Sequence, residues 1–105
     1  MSSPEDLLRV AKALSHPLRL KILLHLARRP TYIQDIAQTL GIPYALAHMH
    51  LKVLEEAGLV EGTYVVEEKP KPHLRKIYRL RDFKLVVDRQ VLEELAKSQD
   101  SQRGR

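Results

Sequence analysis

The chain has no cysteine, so disulfides and thiolate metal sites are both excluded. It has no tryptophan, one phenylalanine and four tyrosines among 105 residues, a sparse aromatic stock for building a core. No apolar run approaches the length needed to span a bilayer. The first apolar segment, Leu7 to Leu14, is broken by Arg9 and Lys12 and does not read as a signal peptide. The chain therefore reads as soluble, with the cytoplasm as its expected location and no membrane among its partners. A Gly-rich phosphate loop is also missing, as is any nucleophile with a partner base. The pairs Glu55-Glu56, Glu67-Glu68 and Glu93-Glu94 diverge on a helix or strand and read as solvated charge. Catalysis is thus not expected, and the length suits one small domain.

What the chain does have is concentrated between Ile33 and Val60. Ile33, Ile36, Ala37 and Leu40 recur three and four apart, as do Ala47, His50, Leu51 and Leu54. Leu40-Gly41-Ile42 separates the two runs, and Gly41 can end the first helix in a left-handed conformation. Pro43 is read as the first residue of the second helix, which stops at Gly58. Two helices joined by so tight a turn form the helix-turn-helix unit, whose second helix enters a DNA major groove. With Ala47, Leu51 and Leu54 facing inward, Tyr44, Ala45, His48, Met49 and Lys52 face outward. Tyr44 and His48 are placed to reach base edges, Ala45 and Met49 to meet thymine methyls, and Lys52 to meet phosphate or base.

Positive charge is just as localised. The net formal charge is +5, yet the 13 residues from Lys69 to Arg81 hold six basic side chains and no acid. The other 92 residues carry 12 basic and 13 acidic groups, a balance of −1. Lys69, Lys71, His73, Arg75, Lys76 and Arg79 are the expected phosphate contacts, because each neutralised phosphate releases condensed counterions. This block lies in a predicted β-hairpin, with Leu59 to Val66 and Leu74 to Leu80 as strands and Pro70 and Pro72 at the tip.

Before the helix-turn-helix, Ser3-Pro4-Glu5-Asp6 marks a helix start, and Pro17 to Ala27 reads as a second helix in which Leu20 and Leu24 widen the apolar stripe. After the hairpin, Asp82 is read as the cap of a last helix and residues 98–105 as a disordered tail, leaving 1–97 as one DNA-binding and dimerisation domain. Leu7, Leu8, Ala11 and Leu14 on the first helix, with Val87, Val91, Leu92 and Leu95 on the last, form apolar stripes with few internal partners. They are the expected homodimer interface. The five histidines lack the spacing of a metal site: His48 and His50 diverge on a helix, His16 caps or packs, His50 packs, and His25 has no acid close in sequence. No metal and no cofactor is expected, and the sequence specifies no small-molecule effector.

The predicted fold is mainly α with a β-hairpin wing, in the order helix, helix, helix, helix, strand, strand, helix. Together with Leu14-Ser15-His16-Pro17-Leu18-Arg19, His50-Leu51-Lys52-Val53-Leu54 and Glu56-Ala57-Gly58-Leu59-Val60, that order resembles the ArsR-type winged helix-turn-helix transcriptional regulators over residues 7–97. The resemblance implies a homodimer clasped by the first and last helices, with two recognition helices and two wings on one face of double-stranded DNA. Many members bind metal through Cys-Val-Cys before the turn or through Asp and His on the last helix. Here residues 32–40 lack cysteine and residues 82–97 lack histidine. The expected function is sequence-specific repression at a pseudo-palindromic operator. An alternative is a winged helix that docks on protein within transcription or replication machinery, with weak general DNA affinity.

Overall fold

A computed structural model describes residues 3–103. Its elements are α1 (Pro4–Leu14), α2 (Pro17–Arg28), β1 (Thr31–Tyr32), α3 (Ile33–Leu40), α4 (Tyr44–Glu56), β2 (Val60–Glu67), β3 (His73–Leu80) and α5 (Arg89–Arg103). The architecture is mainly helical with a β-hairpin wing, as the sequence predicts. β1 joins that wing to make a three-stranded antiparallel sheet in the order β1-β3-β2. Thr31 pairs with Tyr78 and Tyr32 with Ile77, while β2 and β3 run in register from Val60↔Leu80 to Glu67↔His73.

Local chemistry sets the helix ends. The Ser3 hydroxyl accepts from the Asp6 N–H at 3.1 Å, with Pro4 opening α1. The ring Nδ1 of His16 accepts from the Leu18 N–H at 3.1 Å and caps α2, again with Pro at the first position. Gly41 ends α3 at φ +68°, and the Ile42 N–H turns back to the Ala37 carbonyl at 3.0 Å. Gly58 does the same for α4 at φ +79°, with Leu59 N–H donating to Leu54 O. Pro43 sits one residue outside α4 rather than inside it: its ψ of 149° is extended, and its carbonyl accepts from Ala47.

The core lies where α2, α3 and α4 meet the sheet. Ile22, Leu26, Ile36, Ala47, Leu51, Leu54, Val60 and Tyr78 are its centre, and α1 adds Ala13. Leu20 and Leu24, expected to widen the buried stripe of α2, are 49% and 60% exposed. The inward stripe is Arg19, Ile22, Leu23 and Leu26 instead, so the two leucines fall on the far side of the helix.

The C-terminal part departs most from expectation. Asp82 does not cap a helix, because residues 81–88 are irregular and exposed. The cap is Asp88, whose carboxylate accepts from the Val91 N–H at 2.8 Å. The β-branched pair Val86-Val87 is a poor helix opening, whereas Gln90 to Lys97 is rich in good helix formers. Val87 therefore precedes the last helix rather than lying on it. The expected disordered tail is helical through Arg103, since no glycine or proline interrupts the chain before Gly104. Gly104 and Arg105 of that predicted tail lie outside the described residues.

Among the described residues, none of α5 enters the core. The radius of gyration is 17.4 Å, against about 13 Å for a compact chain of this length, and the longest dimension is 61 Å. α5 thus extends away from the body that the other elements form.

Candidate nucleic-acid interface

α4 divides into two faces. Ala47, His50, Leu51 and Leu54 point into the core, which leaves Tyr44, Ala45, His48, Met49 and Lys52 exposed on the opposite side. The expected outward set therefore sits together on one exposed helical surface. Tyr44 and His48 are one turn apart, and Lys52 lies one turn further on.

His25, Asp35, Thr31 and Thr39 tie the first helix of the motif to α2. The His25 ring nitrogen Nε2 lies 2.9 Å from the Asp35 carboxylate, which also accepts from the Thr31 hydroxyl at 2.9 Å and the Thr39 hydroxyl at 3.4 Å. The hydrogen bond from His25, followed by that from Thr31, holds the Asp35 carboxyl below its ordinary range. Asp35 is ten residues from His25, so proximity in sequence does not reveal the pair.

The recognition helix is anchored through a second polar group. Arg19 is 9% exposed and donates from Nε to the Ala13 carbonyl at 2.8 Å and from Nη2 to the Lys12 carbonyl at 3.1 Å. Its Nη1 lies 3.3 Å from His50 Nδ1, and the His50 ring stands 4.5 Å from that of His16. Burial, then the charges of His16 and Arg19, push the His50 imidazole below its ordinary pKa. His16 and His50 thus cap and pack, as predicted. Arg19 is the site residue that the sequence reading missed. The signal available was an arginine four positions before Leu23 on an otherwise apolar stripe.

The basic block separates into a tip and a braced stem. Lys69, Lys71 and His73 are exposed at the hairpin end, where the His73 ring Nδ1 approaches the Lys71 carbonyl at 2.6 Å. Arg75 lies 3.6 Å over the Tyr32 ring and pairs with Glu67 at 3.0 Å. Lys76 pairs with Glu55 of α4 at 3.5 Å. Arg79 donates to the Thr63 hydroxyl at 3.4 Å, while its Nε is buried without a partner. Between α4 and the wing runs a cleft of about 260 Å³ lined by Gln34, Tyr44, His48, Tyr64, Lys76 and Tyr78. Gln34 and Tyr64 were not anticipated there; Tyr64 stands opposite Lys76 in the ladder, which the hairpin register alone would have indicated.

The expected dimer residues differ in exposure. Leu8 and Leu92 are 68% and 52% exposed, and Ala11 and Val87 are exposed as well. Leu7, Val91 and Leu95 are half-buried, and Leu14 packs against the core. Among the described residues, no three His, Asp or Glu side chains gather as a metal site. No helix there is long and apolar enough to cross a membrane.

Comparison with known proteins is consistent with this geometry. A family profile described as a helix-turn-helix domain matches residues 14–63. An uncharacterised HTH-type transcriptional regulator of Methanocaldococcus jannaschii is 33% identical over 90 residues, which is 86% of this chain and 92% of that protein. The HTH-type transcriptional repressor SmtB of Mycobacterium tuberculosis is 32% identical over 74 residues, covering 70% of this chain and half of that protein. Among solved structures, a homodimeric winged helix-turn-helix DNA-binding domain from Mycobacterium bovis, a possible ArsR-family regulator, superposes with a TM-score of 0.61. It is 28% identical, with 94% of this chain and 80% of that one covered.

Proposed function

The chain belongs to the ArsR-type winged helix-turn-helix transcriptional regulators, and on that premise we propose that it acts in the cytoplasm as a homodimeric repressor of a pseudo-palindromic operator. The observation that carries this reading is the cleft that Tyr44 and His48, on the exposed face of α4, share with Tyr64 and Lys76 of the wing. On that face of α4 Tyr44, Ala45, His48 and Met49 face base edges and methyl groups, and Lys52 meets the backbone. Lys69, Lys71 and His73 supply the sequence-independent part of the affinity, with Arg79 behind them. Pairing through Leu7, Leu8, Ala11 and Leu14 of α1 and Val91, Leu92 and Leu95 of α5 covers the apolar faces that one copy leaves open; Val87 contributes from the segment before α5. Catalysis forms no part of this role.

The exposed wing residues Val66 and Leu74, directly opposite each other in the ladder, favour a second reading in which the wing docks on another protein. Footprinting on the DNA upstream of the chain's own coding sequence separates the two. Repression by a two-fold dimer expects two protected major-groove segments about 10 base pairs apart, or a multiple of that. Uniform, sequence-blind protection refutes it.

A further inference from the structure

We propose that Lys76 is a positioning residue that braces the wing against the recognition helix, and that it does not contact DNA. The proposal rests on the DNA-binding role above. A Cβ at Gly62 would collide with the Lys76 side chain at Cε and would stand 3.1 Å from Tyr78 Cε1. Gly62 has no left-handed backbone to explain its identity, so what it provides is room for Lys76 to lie across β2. The ammonium then ends 3.5 Å from the Glu55 carboxylate on α4. Its Nζ lies 5.7 Å from the Tyr64 ring centroid and 5.1 Å from that of Tyr78, within reach of a cation–π attraction. Burial works against the charge, but Tyr78 and Glu55 outweigh it and hold the ammonium above its ordinary range.

Each of these contacts would be lost if Lys76 swung out to a phosphate. Lys69 and Lys71 at the tip, in contrast, are exposed and extend from no such packing. The consequence is mechanical. A major-groove helix and a wing reading the adjacent backbone bind together only if the angle between them is set in advance. Glu55, near the C-terminal end of α4, and Lys76, at mid-strand in β3, form the polar cross-link between the two parts.

The test uses the full chain and the duplex defined by footprinting, with Kd measured over a salt series. Lys76→Met and Glu55→Gln should each weaken specific binding about fivefold while leaving the salt slope at its parental value. The double reversal Glu55→Lys with Lys76→Glu should recover most of the affinity that Lys76→Glu alone loses. Lys69→Ala with Lys71→Ala should instead lower the slope, by about 0.9 for each phosphate contact removed. A slope that falls by about 0.9 per wing in Lys76→Met overturns the proposal, as does a reversal that recovers nothing. Amide exchange in β2 and β3 without DNA gives an independent readout. Faster exchange in Lys76→Met supports the brace even if no duplex is bound specifically, an outcome that would refute only the DNA-binding role. Unchanged exchange overturns the brace.

Discussion

Replacing Arg19 with methionine tests whether the recognition helix is anchored by a buried polar group as much as by apolar packing. The guanidinium makes two hydrogen bonds to carbonyls at the end of α1, at 2.8 and 3.1 Å, and approaches His50 of α4 at 3.3 Å. Hydrogen bonds to a charged group contribute about 1.5–3 kcal/mol each, so the two carbonyl contacts amount to roughly 3–6 kcal/mol. Methionine refills part of the volume with apolar surface, which offsets some of that loss. The expected net destabilisation is about 2–4 kcal/mol, a large share of the roughly 5–15 kcal/mol available to a domain. At about 4–8 °C per kcal/mol, Tm should fall by at least about 8 °C. Urea titration followed by far-UV circular dichroism measures this, with protomer concentration held fixed because dimerisation contributes to stability. Arg9→Met is the control: that side chain is 54% exposed and pairs with Asp6 on the surface, so its loss should cost less than about 1 kcal/mol. An Arg19→Met protein within about 0.5 kcal/mol of the parent would refute the anchoring argument.

Tyr44→Ala with His48→Ala should lower affinity for the operator by roughly 1–3 kcal/mol per lost base contact and barely change binding to random duplex; equal losses on both duplexes would remove these residues from base reading. Leu92→Glu places a charge on the exposed apolar face of α5 and should yield monomers at micromolar concentration, whereas a dimer mass by light scattering would place the interface elsewhere. His50 has its imidazole pKa lowered in the fold, so its contribution to stability is complete above the unfolded value of 6.5 and is lost as pH falls below it. His50→Gln should therefore flatten the decline of the urea midpoint as pH falls below 6.5, and an unaltered decline would show that other groups cause it.

The fold was largely legible because its signals are local. Gly41 and Gly58 end their helices where the sequence indicates, Ser3 and His16 cap, and the spacing of Ala47, Leu51 and Leu54 sorts α4 into two faces. Features decided by interactions that are not local are not legible in this way. Asp82 and Asp88 are both plausible caps; the choice depends on which following segment favours helix, and Val86-Val87 blocks the first. Leu20 and Leu24 look like core residues, because apolar character alone does not say which side of α2 faces α3 and α4. The stripe of α2 hints at Arg19 but not at its partners, which are the carbonyls that end the preceding helix and a histidine 31 residues away.

Charge shows most clearly what three dimensions add to the candidate site. A linear count places six cations on each wing between Lys69 and Arg81 and suggests a salt slope of up to about 5.4 units per wing from them. The fold supplies counterions that the segment itself lacks. Glu67 of β2 takes Arg75, and Glu55 of α4 takes Lys76. Four cations then remain for phosphate, Lys69, Lys71, Arg79 and Arg81, with a ceiling of about 3.6 units per wing, or about 7 for a dimer. Restoring the two braced cations to the count would raise that ceiling to about 11. Removing the acids should not achieve this for Lys76, since Glu55→Gln leaves its stem packed over Gly62 and beside Tyr64 and Tyr78. Arg75 likewise stays stacked on Tyr32 when Glu67 is neutralised. A parental slope clearly above the four-cation ceiling, after subtraction of the Lys52 contribution measured in Lys52→Ala, would mean that the stem opens on DNA and that the braces are features of the free protein alone.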